Sequence, residues 1–239
     1  DWSSDVCSAD LTRRAAQAVK SFETGTIRFG MFGTARLYAG AGLVADVLAR
    51  HPGVRVELVG QNSSEVAEEL RRGRLEAAMI AVHSIESEGM QITPVARDEI
   101  VYISNDPETL ASPVTAKRLS EASLVMPETT WRSTDSIRIL LRQMLHETGR
   151  NPATRIEVED VEIAVELVGL GLADSVIPRG AAEQLLPRLA PKAGWVSLRP
   201  RLYDNFAIVH RRGATLSPAA QLMIELATAR MRTIAQPLH

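Results

Sequence analysis

Thr26-Ile-Arg-Phe-Gly-Met31, Val54-Arg-Val-Glu-Leu-Val59 and Ala77-Ala-Met-Ile-Ala-Val82 are the stretches on which the fold turns. The first two read as strands, the second by its alternation of apolar and polar residues. The third is a continuous apolar run, the pattern of a buried parallel strand. Between them lie helical signals. Gly33 to Gly42 carries the chain into a helix through Leu48, and His51-Pro52-Gly53 stops it, because proline cannot continue a helix and glycine tolerates the turn. Asn62 or Ser63 caps the next helix, Glu65 supports its first turn, and Gly73 closes it. Strand, helix, strand, helix, strand is the beginning of a doubly wound sheet with right-handed crossovers.

A second unit of the same rhythm follows. Ile100–Ile103 and Ser123–Met126 are short apolar strands, and Ser133 or Thr134 begins an amphipathic helix with Ile137, Leu140, Leu141, Met144 and Leu145 on one face. Gly149 and Pro152 end it. Arg155–Glu159 reads as a strand, Val161–Leu170 as a helix, and Asp174–Ile177 as a strand stopped by Pro178. Trp195–Leu198 and Phe206–Val209 are further strands, and Ser217-Pro218 starts the last helix with cap and proline in the favoured order. Upstream, Leu11–Phe22 has helical spacing and Gly25 stops it. Asp1–Asp10 has no apolar periodicity; it reads as an adapter-derived scar, with a disordered tail as the alternative, so that Trp2 and Cys7 carry no role.

Composition narrows the function. The 239 residues carry a formal net charge of -2, with Lys and Arg spread along the chain. A stand-alone reader of duplex DNA normally has a basic excess, since phosphate neutralisation supplies most of its non-specific affinity. No apolar run approaches the ~18–20 residues that cross a bilayer, and the first residues lack a basic-then-apolar pattern, so a secretory leader is not expected from them. One cysteine excludes an internal disulfide and fits a reducing cytoplasm. Five histidines and one cysteine show no metal-ligand spacing, there is no nucleophile elbow, and the carboxylates form no evident acid–base pair. Neither an enzyme nor a bound cofactor is expected.

The order and spacing of these elements resemble the effector-binding domain of LysR-type transcription regulators. The resemblance is carried by Gly25-Thr-Ile-Arg-Phe-Gly30, by Leu48–Leu58 with His51-Pro52-Gly53-Val54, by Gly73-Arg-Leu-Glu-Ala-Ala-Met-Ile80, and by Val165–Pro178 with Gly169 and Gly171. Glu76 departs from it, standing where that family usually places Asp. The resemblance implies an α/β, type 2 periplasmic-binding-protein-like fold: two doubly wound lobes joined by two crossover strands. Lobe I would be residues 25–98 plus 204–239, lobe II residues 99–203, and residues 11–24 the end of a dimerising linker helix. It further implies that DNA is engaged only through a winged helix-turn-helix domain upstream of Leu11, in a homodimer or tetramer in the cytoplasm. A solute receptor of a transporter, with the same fold, is the alternative.

In open α/β sheets ligands bind beyond the carboxyl ends of the strands. The first such loop holds Gly33, Thr34, Ala35 and Arg36; Gly33 permits close backbone approach, and Thr34 with the free N–H groups of the following helix suits a carboxylate. Thr34 as a mere helix cap is the competing role. Ser63 either faces the ligand or caps its helix. Thr129, Thr130, Trp131, Arg132 and Ser133 follow a strand of the second unit. There Arg132 suits a carboxylate and Trp131 an aromatic wall, against a solvent-facing Arg and a packing Trp. His83 lines the cleft or is a satisfied structural histidine. The expected ligand is a small organic or aromatic acid.

Overall fold

The computed structural model describes residues 25–60, 62–84, 88–130, 133–146, 149 and 154–237. The readings placed on residues 1–24, and on Trp131 and Arg132, lie outside these. The strands are β1 Thr26–Met31, β2 Arg55–Val59, β3 Ala77–Ala81, β4 Met90–Ser104, β5 Val114–Thr115, β6 Leu124–Met126, β7 Thr154–Glu157, β8 Asp174–Pro178, β9 Gly194–Arg211 and β10 Gln236–Pro237. After β1 a helical turn at Gly33–Ala35 and a π-helical stretch at Arg36–Gly40 run directly into α1, Ala41–Arg50. The remaining helices are α2 Ser63–Arg71, α3 Pro107–Leu110, α4 Ala116–Glu121, α5 Ser136–Leu145, α6 Val161–Gly169, α7 Arg179–Leu189 and α8 Pro218–Ile234.

The strand order is β2-β1-β3-β9-β4-β8-β6-β7, with β10 on β4 and β5 on β9. β1, β2 and β3 run parallel, as do β6, β7 and β8. Each parallel set forms the sheet of one lobe, and both dock on the same long antiparallel pair, β4 and β9, which runs from Met90 opposite Arg211 to Ser104 opposite Gly194. These are the two crossover strands. The sequence reading caught only their apolar ends, Ile100–Ile103, Trp195–Leu198 and Phe206–Val209. Their middles carry Pro94, Arg97, Asp98, Glu99, Pro200, Arg201 and Asp204, residues that read as breakers or loop when the partner strand is not in view. β3 also corrects its expectation: parallel to β1 on one side, it is antiparallel to β9 on the other.

One apolar cluster runs along a single face of the sheet through both lobes, from Phe29, Met31 and Met79 by way of Phe206 and Val101 to Val125 and Val165. On the other face each lobe closes separately: Val66, Leu70 and Ile80 in lobe I, Leu124, Leu141 and Val176 in lobe II. Alternate residues of one strand serve the two faces, as Met79 and Ile80 do. Each such Leu, Ile or Met contributes about 1.5–3 kcal/mol by leaving water. Gly30 allows this packing locally, since a Cβ there would stand 2.6 Å from both Ala78 Cβ and Val66 Cγ1.

Caps set where the helices start. Asn62, at the α2 cap, accepts a hydrogen bond from the Ser64 amide at 2.8 Å. Ser217 accepts from the Ala220 amide ahead of Pro218. The amphipathic helix begins later than Ser133 or Thr134: Asp135 is its cap, accepting from the Arg138 amide at 2.8 Å. Both Asp and Ser are good caps, and the buried position went to Asp135. Helix α7, a stretch to which the sequence reading assigned no element, forms despite Pro187 in its last turn, with Ala182, Leu185 and Leu186 buried.

Candidate functional site

The carboxyl ends of β1, β3, β6 and β8 converge on a cavity of about 170 Å³ between the lobes. Lobe I contributes Phe32, Gly33, Thr34, Arg36, Asn62 and Ser63. Lobe II contributes Glu128, Asp135, Ser136, Ile137, Glu159 and Asp160, and Asp204 enters from the crossover strand β9. Every contributing loop leaves a strand at its carboxyl end or sits at a helix amino end, the geometry expected of an open α/β sheet.

One contact ties the lobes across this cavity, and a second set, outside its lining, ties the start of α7 to lobe I. Asn62 Nδ2 donates to Glu128 Oε2 at 3.3 Å. Tyr38, in the π-helical stretch, donates to Asp98 Oδ2 in a short hydrogen bond and accepts from the Ala181 amide at 2.9 Å. The same Asp98 oxygen accepts from the Gly180 amide at 3.0 Å. The start of α7 is thereby held against lobe I. Glu128 adopts a positive φ of 59°, an uncommon conformation for a residue with a side chain, and such backbone clusters at ligand sites.

The residues expected from sequence separate into groups. Gly33, Thr34, Arg36 and Ser63 line the cavity, whereas Ala35 is buried in the core and turns away from it. Ser63 Oγ accepts the Ala81 amide at 2.9 Å, a bond that fixes α2 to β3. His83 stands with Nδ1 3.9 Å from Asp204 Oδ1. Thr130 is exposed and donates to Glu159 Oε2 through both its amide and its hydroxyl. Thr129 hydrogen-bonds through its amide to the Val158 carbonyl. Ser133 is exposed, with its carbonyl accepting from Arg142. Neither Thr129, Thr130 nor Ser133 lines the cavity.

What sequence reasoning missed is acidic. Asp204 is 1% exposed; Oδ2 accepts from Ser136 Oγ at 3.0 Å, while Oδ1 has no hydrogen-bond partner. The 3.9 Å to His83 is too long to be one. Burial holds the Asp204 carboxyl above the usual carboxylate range. Burial also pushes Asp135 up to about 7, with the Glu128 and Asp204 carboxylates adding to it and the Arg138 amide opposing. Glu128 is raised for the same first reason, and Glu159 adds to it. One signal was available for Asp135, an Asp-Ser pair ahead of an amphipathic run. Nothing in sequence marked Asp204, which lies inside a strand, or joined it to Glu128.

A two-lobed α/β domain with a cavity at its strand ends, hinged on two long antiparallel strands, belongs to the type 2 periplasmic-binding-protein-like class. The chain is a member of the LysR substrate binding domain family, whose profile matches residues 20–232. The probable HTH-type transcriptional regulator LrrA of Synechococcus elongatus is 23% identical over 172 residues, which is 72% of this chain and 56% of that protein. The chain thus spans about half the length of this curated relative. The regulatory domain of CcmR from Synechocystis, solved in complex with 2-PG, superposes with a TM-score of 0.73 at 15% identity, covering 85% of this chain and 96% of that one. Full-length CbnR, solved with its target DNA, gives 0.66 at 18% identity, covering 93% and 74%. Among the described residues no helix is long and apolar enough to cross a membrane.

Proposed function

We propose that this domain senses a small molecule held in the cleft and passes the event to a DNA-binding domain of the same regulator. The observation that carries the reading is the inter-lobe cavity, walled from both sides and bridged by Asn62–Glu128. A ligand there changes the balance between lobe arrangements. A coupling of about 1–3 kcal/mol is enough to alter operator engagement. Family membership supports a regulator in preference to a transport receptor, and a binder in preference to a catalyst. Small-molecule and DNA complexes are known for its structural neighbours CcmR and CbnR.

In this reading the regulator works in the cytoplasm as a homodimer or tetramer and touches DNA only through its N-terminal domain. The lobes divide at 98/99 and 203/204, a division supported by the pairing of Asp98 with Asp204 and of Glu99 with Tyr203 across the crossover strands. Gly33, Thr34, Arg36 and Ser63 act as the lobe I face of the ligand site. The test is a thermal-shift screen of small metabolites on the chain, followed by hydrogen exchange on each stabiliser. Slowed exchange at residues 62–66, 128–130 and 133–137 is expected. Stabilisers that protect only surfaces away from the cleft would overturn the reading.

A further inference from the structure

We infer that the ligand of this cleft presents a protonated amine, held against Asp204 and Asp135; this rests on the sensor reading above and replaces the acid expected from sequence. The carboxylates of Glu128, Asp135, Glu159, Asp160, Glu162 and Asp204 line the cavity, and Arg36 is the one guanidinium among its described lining residues. Arg138, beside this wall, is already committed to Glu157 and to the Met126 and Pro127 carbonyls.

Several of the helix ends around the cleft are occupied from within, although the one at Gly33–Ala35 carries no side-chain cap. Asn62 caps α2, Asp135 caps α5, and Asp98 accepts the amide of Gly180 at the start of α7. The amino end of α6 carries Glu159, Asp160 and Glu162 around it. An anion entering this cavity meets like charge along the lobe II side, where Glu128, Asp135, Glu159, Asp160 and Glu162 stand.

Asp204 supplies the independent observation. It lines the cavity, is 1% exposed, and leaves Oδ1 without a hydrogen-bond partner. A buried carboxylate oxygen in that state is costly unless a donor reaches it. His83 Nδ1 stands 3.9 Å from it, an ion-pair separation too long for a hydrogen bond. Burial holds the carboxyls of Asp135, Glu128 and Asp204 upward, and Arg138, Arg36 and His83 oppose it without reversing it. Among the described residues no three His, Cys, Asp or Glu side chains are placed to hold a metal ion. A cavity near 170 Å³ is close to the roughly 150 Å³ that accommodates a benzene-sized molecule, so the amine is small.

The experiment measures melting temperature of the 239-residue chain with n-butylamine, putrescine and agmatine, against butyrate, succinate and benzoate, at fixed pH and ionic strength. At least one amine is expected to raise Tm by about 5–10 °C at a hundredfold excess over its Kd. Asp204→Asn is expected to abolish that rise, and Glu128→Gln, a milder change, to reduce it. Calorimetry in buffers of different ionisation enthalpy should show proton release on binding. Stabilisation by carboxylates and not amines overturns the inference and leaves the sensor reading standing. Amine stabilisation that survives in both variants is a surface effect and overturns it too. No response to either class also overturns it; if a broad metabolite library then gives no exchange protection in the cleft, the sensor reading falls with it.

Discussion

The two walls of the cleft are built alike and charged differently. Lobe I faces the cavity with Phe32, Gly33, Thr34, Asn62, Ser63 and a single cation, Arg36; lobe II faces it with Glu128, Asp135, Glu159, Asp160 and Glu162. Both walls come from strand carboxyl ends and helix amino ends, which by themselves favour anions. Lobe II counters that preference with carboxylates: Asp135 caps α5, and Glu159, Asp160 and Glu162 flank the start of α6. Architecture thus locates the ligand, while a few side chains decide its sign.

The contrast breaks most sharply at Asp204. Replacing it with Asn is expected to weaken amine binding by about 30-fold to several thousand-fold, the 2–5 kcal/mol typical of losing one partner of a buried charge pair. Titration calorimetry would read this, and an unchanged Kd would remove Asp204 from the site. The free protein should be no less stable, because Asn keeps the acceptor for Ser136 while removing a buried charge.

The second test uses pH. Asp135 holds its proton up to about 7 when folded, against about 3.9 in an unfolded chain. The folded state therefore carries a proton that the unfolded state has released across that interval. Stability falls as pH rises from about 4 to about 7 and is level above, a loss on the order of 4 kcal/mol if Asp135 acts alone. Glu128 and Asp204, both facing Asp135, steepen the same trend, and Arg138 opposes it. Denaturant melts at pH 5, 6, 7 and 8 on the chain and on Asp135→Asn should show the slope shrinking in the variant. A saturating amine should flatten it in the parent.

Smaller effects sharpen the lobe I side. Ser63→Ala leaves the buried Ala81 amide without its acceptor and should cost about 1–3 kcal/mol of stability. If Ser63 serves structure and not the amine, Kd in that variant stays within twofold. Arg36→Ala removes the cation opposite the acidic wall and should tighten amine binding about fivefold or less, an effect that fades with salt. Weaker binding in Arg36→Ala would mean that Arg36 holds an anionic group of the ligand.

Much of the fold was legible in the chain. The alternation of Val54–Val59, the apolar run from Ala77 and the Gly73 stop are local patterns, and local patterns survive in one dimension. The expectation of two crossover strands came from family resemblance and not from periodicity, since Pro94, Asp98, Pro200 and Asp204 interrupt any strand signal in β4 and β9. Those strands persist because each has the other as its partner over nearly its whole length. At the site, the loops after β1 and before α2 were found, because a strand followed by Gly-Thr or Asn-Ser predicts a helix amino end. The acid expected from Thr34 and Arg36 followed from reading those loops alone. Glu128, 66 residues from its partner Asn62, and Asp204, 68 from Ser136, entered only through the fold.

What the sequence by itself determined was the set of strands and helices, their order and hence the doubly wound class, because hydrophobic periodicity and helix stops act over a few residues. The tertiary structure alone decided the character of the cleft. Charge is felt through space, and only folding brings Glu128, Asp135 and Asp204 to one cavity, buries Asp135 and Asp204 away from water and leaves one carboxylate oxygen without a hydrogen-bond partner.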